Sequence, residues 1–387
     1  MTDPHDSRPI DSTRALAQRA RKLFAESGRD PLQSLRVRRA VRSQLEAAVV
    51  PPPSAAAALE TLEAVPSAAV PVAAADVMDA AASAMEKVRA GNESNVTDRE
   101  FMALEAIVLL TGRPAMRYTD GRVQMPEGED NERWMTFVAT ARSKIDAASA
   151  KVGQVAIDAP GSAVVHVGTA WRLGDDLVVT NRHVAAELVR DRSMPPGEWT
   201  LDPAKPGVVN FSVTDGARSV SRFAVAELAY CAPEETVDLA VFRVDAGAVP
   251  LPGALPLDWS ESSVGRDLGE GTFRGEEVYV VGHPWRPFAS EEVVTVFQRA
   301  DGFKRCSPGQ VTMISPLDHA FEHDCSTLGG NSGSCVLTVR GHKVIGLHYG
   351  GKNVNLVTAM GESNLALGLA RLGEHRAARI LREGRVT

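Results

Sequence analysis

Three short segments hold residue types that could do nucleophilic chemistry together. T-N-R-H-V-A places His183 just after the apolar run LVVT, and T-V-D-L-A-V-F-R-V places Asp238 at the head of an apolar run. S-T-L-G-G-N-S-G-S-C, Ser326 to Cys335, sets Ser332 among glycines. A serine hydroxyl is a poor nucleophile at neutral pH. It needs a base within hydrogen-bond reach, and the base needs a carboxylate that fixes its tautomer and stabilises its cation. His183 and Asp238 supply those groups. The attacked carbonyl then becomes an oxyanion that two backbone N–H groups must face, and Gly330 and Ser332 are the candidates. Gly329 and Gly330 permit backbone conformations that other residues resist, and Gly333 permits close approach behind the serine. Taken singly, each segment has a plainer reading: a packed histidine, a turn aspartate, a flexible linker. Apolar runs flanking all three favour the hydrolytic reading.

The elements that must position these residues are strands. After Gly153 short valine-rich runs alternate with Gly, Pro and Asp: SAVVHVGTAW, DDLVVTN, VVNFSV, RFAVAELAY, DLAVFRV, EVYVVG, EEVVTVF, QVTMI, GSCVLTV and KVIGLHY. Many short strands with turn residues between them predict a mainly β, antiparallel barrel or sandwich, closed by a helix over Leu365–Glu383. Before residue 153 the chain favours helices, at Ser12–Ala25 and Leu32–Ala48. The second carries Arg36, Arg38, Arg39 and Arg42, either a solvated face or a docking surface for an acidic partner. Residues 49–75 (PPPSAAAALE, VPSAAVPVAAA) read as an Ala/Pro-rich linker. Helices are expected over Ala75–Ala90, from the capping box T-D-R-E (Thr97 to Glu100) through Phe101–Thr111, and over Asn131–Ala150 with Trp134, Phe137, Val138 and Ile145 on one side. Asp120–Gly121 predicts a tight hairpin. The expected domains are a helical segment (1–48), the linker (49–75), a small mostly helical domain (76–152) and the β domain (153–387).

The chain has 387 residues and a formal net charge of −7, which disfavours a nucleic-acid partner. No stretch is long and apolar enough to predict a membrane span, and MTDPHDSRPIDSTRALAQRARKLF lacks a signal-peptide core. The four cysteines, Cys231, Cys306, Cys325 and Cys335, form no CxxC pair and read as reduced thiols. A cytoplasmic location follows as the expectation. No dinucleotide or phosphate loop is present, and no cofactor is expected. H-A-F-E-H, His319 to His323, matches a zinc motif that works on a helix. It lies in strand-rich sequence, so no metal is expected there.

The order His183, Asp238, Ser332 resembles that of chymotrypsin-type enzymes. Residues from about Gly153 to Arg382 resemble trypsin-like serine peptidases, and within them the bacterial branch that includes the glutamyl endopeptidases. T-N-R-H-V, V-D-L-A-V and G-N-S-G-S resemble that branch's histidine, aspartate and nucleophile motifs. V-V-G-H-P (Val280 to Pro284) is similar to its V-x-G-[YH]-P turn. G-L-H-Y-G-G (Gly346 to Gly351) resembles the strand lining its specificity pocket, and S-N-L-A (Ser363 to Ala366) its segment before the closing helix. The resemblance implies a chymotrypsin-like pair of six-stranded barrels, with His183 and Asp238 from the first and Ser332 from the second. It also implies a pocket at Ser326, Thr327, His348 and Gly350. Thr327 and His348 match the residues that hold an acidic side chain in the glutamyl endopeptidases. Ser326 stands where trypsins carry the aspartate that binds Arg or Lys. Glu322 and Asp324 lie close by in sequence and would oppose an acidic substrate, leaving a small or hydrophobic preference as the alternative.

Trypsins are activated when a new N-terminal amine pairs with an aspartate beside the nucleophile, a position held here by Asn331. Two forms of control are open: a cut between Lys151 and Pro160 that switches on a zymogen, or an uncut, competent barrel whose residues 1–150 recruit an activating protease or a regulatory protein. The expected function is a serine endopeptidase acting on polypeptides. A non-catalytic scaffold on a peptidase fold and an esterase are the competing readings.

Overall fold

A computed structural model describes residues 74–386, apart from 91, 93–94, 98–99, 101–102, 105–111, 127–130, 217–220, 248, 268–272, 286–295, 298–300, 315–318 and 353–362. The expected helices at 12–25 and 32–48, with their arginines, and the linker up to residue 73 lie outside the described residues. These fall into two compact units. One takes in described residues of 74–114, 126–133 and 288–300; the other takes in those of 115–125, 134–287 and 301–387.

In the first unit, α1 spans Ala74–Arg89. The Glu100 carboxylate accepts from the Thr97 N–H at 2.7 Å, and the Thr97 hydroxyl accepts from the Glu100 N–H at 3.3 Å. This is the reciprocal capping box expected from T-D-R-E. Lys87 Nζ also reaches Glu100, at 2.7 Å. These donors outweigh the desolvation that opposes them and hold the Glu100 carboxyl down at about 2. The run EEVVTVF was expected as a strand. Its described end, Val296–Phe297, is helical, since valine's strand preference yields to context.

The second unit begins with β1 (Met116–Thr119) and β2 (Arg122–Val123). Asp120 and Gly121 turn between them with φ of 50° and 75°, the two-residue hairpin that Asp-Gly favours. Next, α2 (Glu132–Ser149) buries Trp134, Phe137, Val138 and Ile145, the face its sequence spacing gives. These side chains share one core cluster with Tyr279, Val281 and Leu337. Each contributes on the order of 1.5–3 kcal/mol by burial. β1–β2 and most of α2 therefore pack with the barrels rather than within a separate domain over 76–152, because their apolar faces are completed there.

The first barrel is closed by β3 (Val152–Ile157), β4 (Val165–Gly174), β5 (Leu177–Thr180), β6 (Gly207–Asn210), β7 (Arg222–Cys231) and β8 (Ala240–Val244), in the order β3-β4-β5-β8-β7-β6. A short helix, α3 (Arg182–Ala186), follows β5. The β9–β10 ribbon (Gly265–Asp267, Phe273–Gly275) leads into the second barrel. That barrel contains β11 (Glu277–Gly282), β12 (Arg305–Ile314), β13 (Ala320–His323), β14 (Cys335–Thr338), β15 (Val344–Lys352) and β16 (Ser363–Gly368). Its order is β11-β14-β15-β16-β13-β12, and pairing of β12 with β11 closes the ring. Among the described residues every pairing between these strands is antiparallel, and β1 adds to β12 with Met116 opposite Cys306. The molecule thus has the chymotrypsin-like double barrel with a C-terminal helix.

That helix needs correction. S-N-L-A-L-G is a strand paired with β13 and β15, so the helix does not begin at Leu365. α4 starts at Arg376, where His375 accepts from the Ala377 N–H at 3.0 Å, and runs to Glu383 before Gly384. None of the four cysteines forms a disulfide among the described residues, and all are buried. Burial pushes the Cys231 and Cys335 thiols up to about 12, leaving them inert at neutral pH. Among the described residues no helix is long and apolar enough to cross a membrane.

Candidate functional site

β5 ends at Thr180, and the chain turns at once into α3, which carries His183 on its first turn. Asp238 lies just before β8, the neighbour of β5, with Thr180 opposite Ala240. Strand pairing therefore brings together two residues far apart in sequence. The imidazole Nδ1 of His183 lies 2.6 Å from Asp238 Oδ2, and the His183 N–H donates to Oδ1 at 3.1 Å. Asn181 fixes the other side of the aspartate, its Nδ2 donating to the Asp238 carbonyl at 2.9 Å. With the carboxylate on Nδ1, that nitrogen carries the proton and Nε2 is left with its lone pair. The His183 side chain is 49% exposed while Asp238 is 17% exposed, so the base faces solvent and the carboxylate is sheltered.

Ser332 sits in the turn before β14, half-buried. Its carbonyl accepts from the Thr169 N–H of β4 at 2.8 Å, and the next N–H, of Gly333, donates to the His348 carbonyl of β15 at 2.9 Å. The serine turn is thus tied to both barrels. Gly168 shows how tightly: a Cβ there would lie 2.7 Å from the Val184 side chain and 3.1 Å from the Ser332 carbonyl. Residues adjoining His183 and Ser332 meet across that glycine.

Two glycines of the turn have positive φ, Gly330 at 83° and Gly333 at 89°. A Cβ at Gly333 would meet the Thr169 carbonyl at 2.0 Å, and one at Gly330 the His283 carbonyl at 2.4 Å. The turn is pinned from behind. The Thr169 hydroxyl donates to the Gly330 carbonyl at 2.8 Å and accepts from the His283 N–H at 3.1 Å, and the Trp285 N–H donates to the Gly329 carbonyl at 2.7 Å. Asn331 N–H donates to Leu328 and Ser334 N–H to Asn331. Among the described residues the Gly330 and Ser332 N–H groups alone in this run, 330–334, have no acceptor. Two unused amides on one strained turn are what an oxyanion requires.

The residues expected to line a specificity pocket are adjacent but mostly engaged. Ser326 and Thr327 are buried, and the Thr327 hydroxyl donates to Asn364 Oδ1. His348 is 3% exposed, and its Nδ1 lies 3.3 Å from His323 Nε2. Burial first, then His323 and His183, holds the His348 pKa well below the usual imidazole value. Burial likewise pulls His323 down to about 4. Space around a Cβ at Gly350 is open. The two nearby acidic groups have partners of their own: Asp324 accepts from the Gln310 N–H at 2.7 Å, and Glu322 from the Ser363 hydroxyl at 2.8 Å, while Asp324 also acts on His323, weakly raising its pKa against burial. H-A-F-E-H runs along β13, where His319 meets the Arg371 carbonyl at 2.6 Å and His323 meets His348. The two histidines have separate partners.

Sequence reading missed the support behind the turn. Thr169 and His166 carry no motif of their own, and V-V-G-H-P assigned no role to His283. Only the glycine cluster at 329–333 signals that something must pack closely against it. His166 Nε2 lies 2.9 Å from the Gly168 carbonyl and His283 Nδ1 lies 2.8 Å from the Gly302 carbonyl. Burial lowers His166 to about 4 and His283 well below its usual value.

A family model described as a trypsin-like peptidase domain matches residues 168–347, which takes in His183, Asp238 and Ser332 and less than half of the chain. No curated protein matches. Among solved structures, the Rv3671c protease from M. tuberculosis in its active form is similar at 16% identity. The match covers 62% of this chain and 86% of that one, with a TM-score of 0.38.

Proposed function

We propose that the chain is a serine endopeptidase in which Ser332 attacks a peptide carbonyl, His183 moves the proton and Asp238 holds His183 in place. The observation that carries this reading is the 2.6 Å contact between His183 Nδ1 and Asp238, made beside a turn whose Gly330 and Ser332 amides have no acceptor among the described residues. Ser332 Oγ adds to the carbonyl as Nε2 takes its proton, and the two amides stabilise the oxyanion. Collapse expels the amine, which takes the proton from His183, and leaves an ester on Ser332. Water, deprotonated by His183, then hydrolyses that ester.

The preference we propose is for an acidic residue before the cut. Support comes from the His348–His323 pair, with His348 two residues before Gly350 on β15, and from the hydrogen bonds that Asp324 and Glu322 accept from the Gln310 N–H and the Ser363 hydroxyl. A substrate carboxylate would favour protonation of His348, whose ring would exchange its His323 or Leu365 contact for the substrate.

Control through residues 1–150 is also proposed, without a zymogen cut. Lys151 to Pro160 contains β3, a member of the closed first barrel, and the Lys151 carbonyl accepts from the Arg172 N–H at 2.9 Å. Cleavage within Val152–Ile157 would cut a barrel strand rather than complete a site.

Incubation of a peptide library with the intact chain and with Ser332→Ala tests the reading, with intact mass recorded before and after. Cleavage that follows Glu or Asp, needs Ser332 and accompanies an uncut N-terminus is expected. Equal cleavage by both proteins, or none by either under any added partner, would leave the scaffold reading. A dominant small or hydrophobic residue before the cut would overturn the acidic preference.

A further inference from the structure

A cleft of about 840 Å³ opens where the β1–β2 turn, the end of α2, the loop after β6 and the start of β12 meet. Asp120, Phe211, Thr214, Ser221, Pro252 and Lys304 form much of its wall. None of its lining residues takes part in the site around Ser332. Its volume lies within the range of small organic ligand sites.

Lys304 is the unusual group. It is 1% exposed. Its ammonium donates to the Ser149 carbonyl at 2.7 Å and to the Phe211 carbonyl at 3.0 Å, tying the end of α2 to the first barrel. An ammonium has three donors. The third has no acceptor, and no carboxylate pairs with the charge, among the described residues. The facing titratable groups are Cys335 on β14, His283 after β11 and Asp120 on the cleft wall. Burial brings the Lys304 pKa down to about 7, with Cys335 acting weakly the other way. A buried cation without a counter-charge is costly. Beside it, the hydroxyls of Thr214 and Ser221 make no protein hydrogen bond among the described residues, and Phe211 and Pro252 offer apolar flanks.

We propose that this cleft binds an organic carboxylate, with Lys304 as its counter-ion and Thr214 and Ser221 as hydroxyl donors. The carboxylate could belong to a free small acid or to the C-terminus of a peptide chain. The site would take either without help from Ser332, so its test is independent of the peptidase reading.

Calorimetric titration of the full chain carrying Ser332→Ala, which keeps peptides intact, uses N-acetylglycine, acetyl-tri-alanine and acetyl-tri-alanine amide. The expected result is binding of at least one acid, with the amide weaker by about tenfold or more, as loss of a charge-assisted contact implies. Comparable binding of both acids assigns a free small acid; binding of the peptide acid alone assigns a chain terminus. Above the Lys304 pKa, binding must recharge the amine, so at about pH 8 uptake approaching one proton is expected across buffers of different ionisation enthalpy. Lys304→Met should lose binding. Should that variant not fold, Thr214→Val with Ser221→Ala leaves the Lys304 ties in place and should weaken the acid by roughly three- to tenfold. An amide that binds as well as the acid, absence of acid binding, or binding without proton uptake would overturn the proposal.

Discussion

Gly330→Ala separates the role of the serine turn from the stability of the fold. At φ 83° a non-glycine residue costs roughly 1–2 kcal/mol. The new methyl would also lie 2.4 Å from the His283 carbonyl, 2.8 Å from the His166 ring and 2.9 Å from the Trp285 N–H. Two of these are backbone atoms that cannot step aside as a side chain could. The cheaper relief is for the turn to swing outward. That breaks the Trp285-to-Gly329 and Thr169-to-Gly330 hydrogen bonds, at about 1 kcal/mol each. A domain of this size loses roughly 2–4 °C of Tm per kcal/mol, so a fall of about 4–8 °C is expected. The swing carries the Gly330 N–H away from the oxyanion position, and loss of one such donor costs about 10²–10³ in rate. The assay is the second-order rate of modification by a fluorophosphonate, whose addition to Ser332 builds the same negative oxygen, alongside Tm from circular dichroism. A folded variant that reacts within about threefold of the parent would refute the role given to this amide.

Three further outcomes follow from the same geometry. Asp238→Asn should leave the fold intact and lower peptide hydrolysis by about 10⁴, because an amide no longer holds the proton on Nδ1; steady-state kinetics measures this. Buried His166 and His323 have folded pKa values near 4, below the unfolded value of about 6.5. Each therefore binds a proton on unfolding between those values, and stability present above about pH 6.5 is lost as pH falls toward 4, by on the order of 3 kcal/mol per group. Urea unfolding at stepped pH reads the slope, and flat stability over that window would be inconsistent with neutral buried rings. His348→Phe should cut the ratio of kcat/KM for Glu over Ala before the scissile bond by about tenfold, with little change for the Ala substrate, if His348 donates to the acidic side chain.

How far the sequence carried is seen in particular residues. His183, Asp238 and Ser332 could be singled out because rare residue types stand beside glycines and apolar strands, and the roles proposed for them rest on that pattern and on the His183–Asp238 contact. Asp120–Gly121 and the face of α2 were legible because turn and helix periodicity are local properties. Leu365 to Gly368 was misjudged because L-A-L-G suits a helix until β13 and β15 pair with it on both sides. β1 and α2 pack into a core that runs from Val152 and Trp171 out to Leu381, which no local pattern in 76–152 announces. Lys304 in F-K-R-C gave no signal, since only tertiary burial turns an ordinary lysine into an uncompensated cation. The partners of Thr327 and His348 were equally hidden, because each comes from a strand distant in sequence.

Mass-spectrometric mapping of the fluorophosphonate adduct tests the central claim most directly. One phosphonyl group on Ser332 of the native chain is predicted, with reaction abolished in Ser332→Ala and reduced by at least about a thousandfold in His183→Ala. An adduct on another residue, or undiminished reaction at Ser332 without His183, would contradict it.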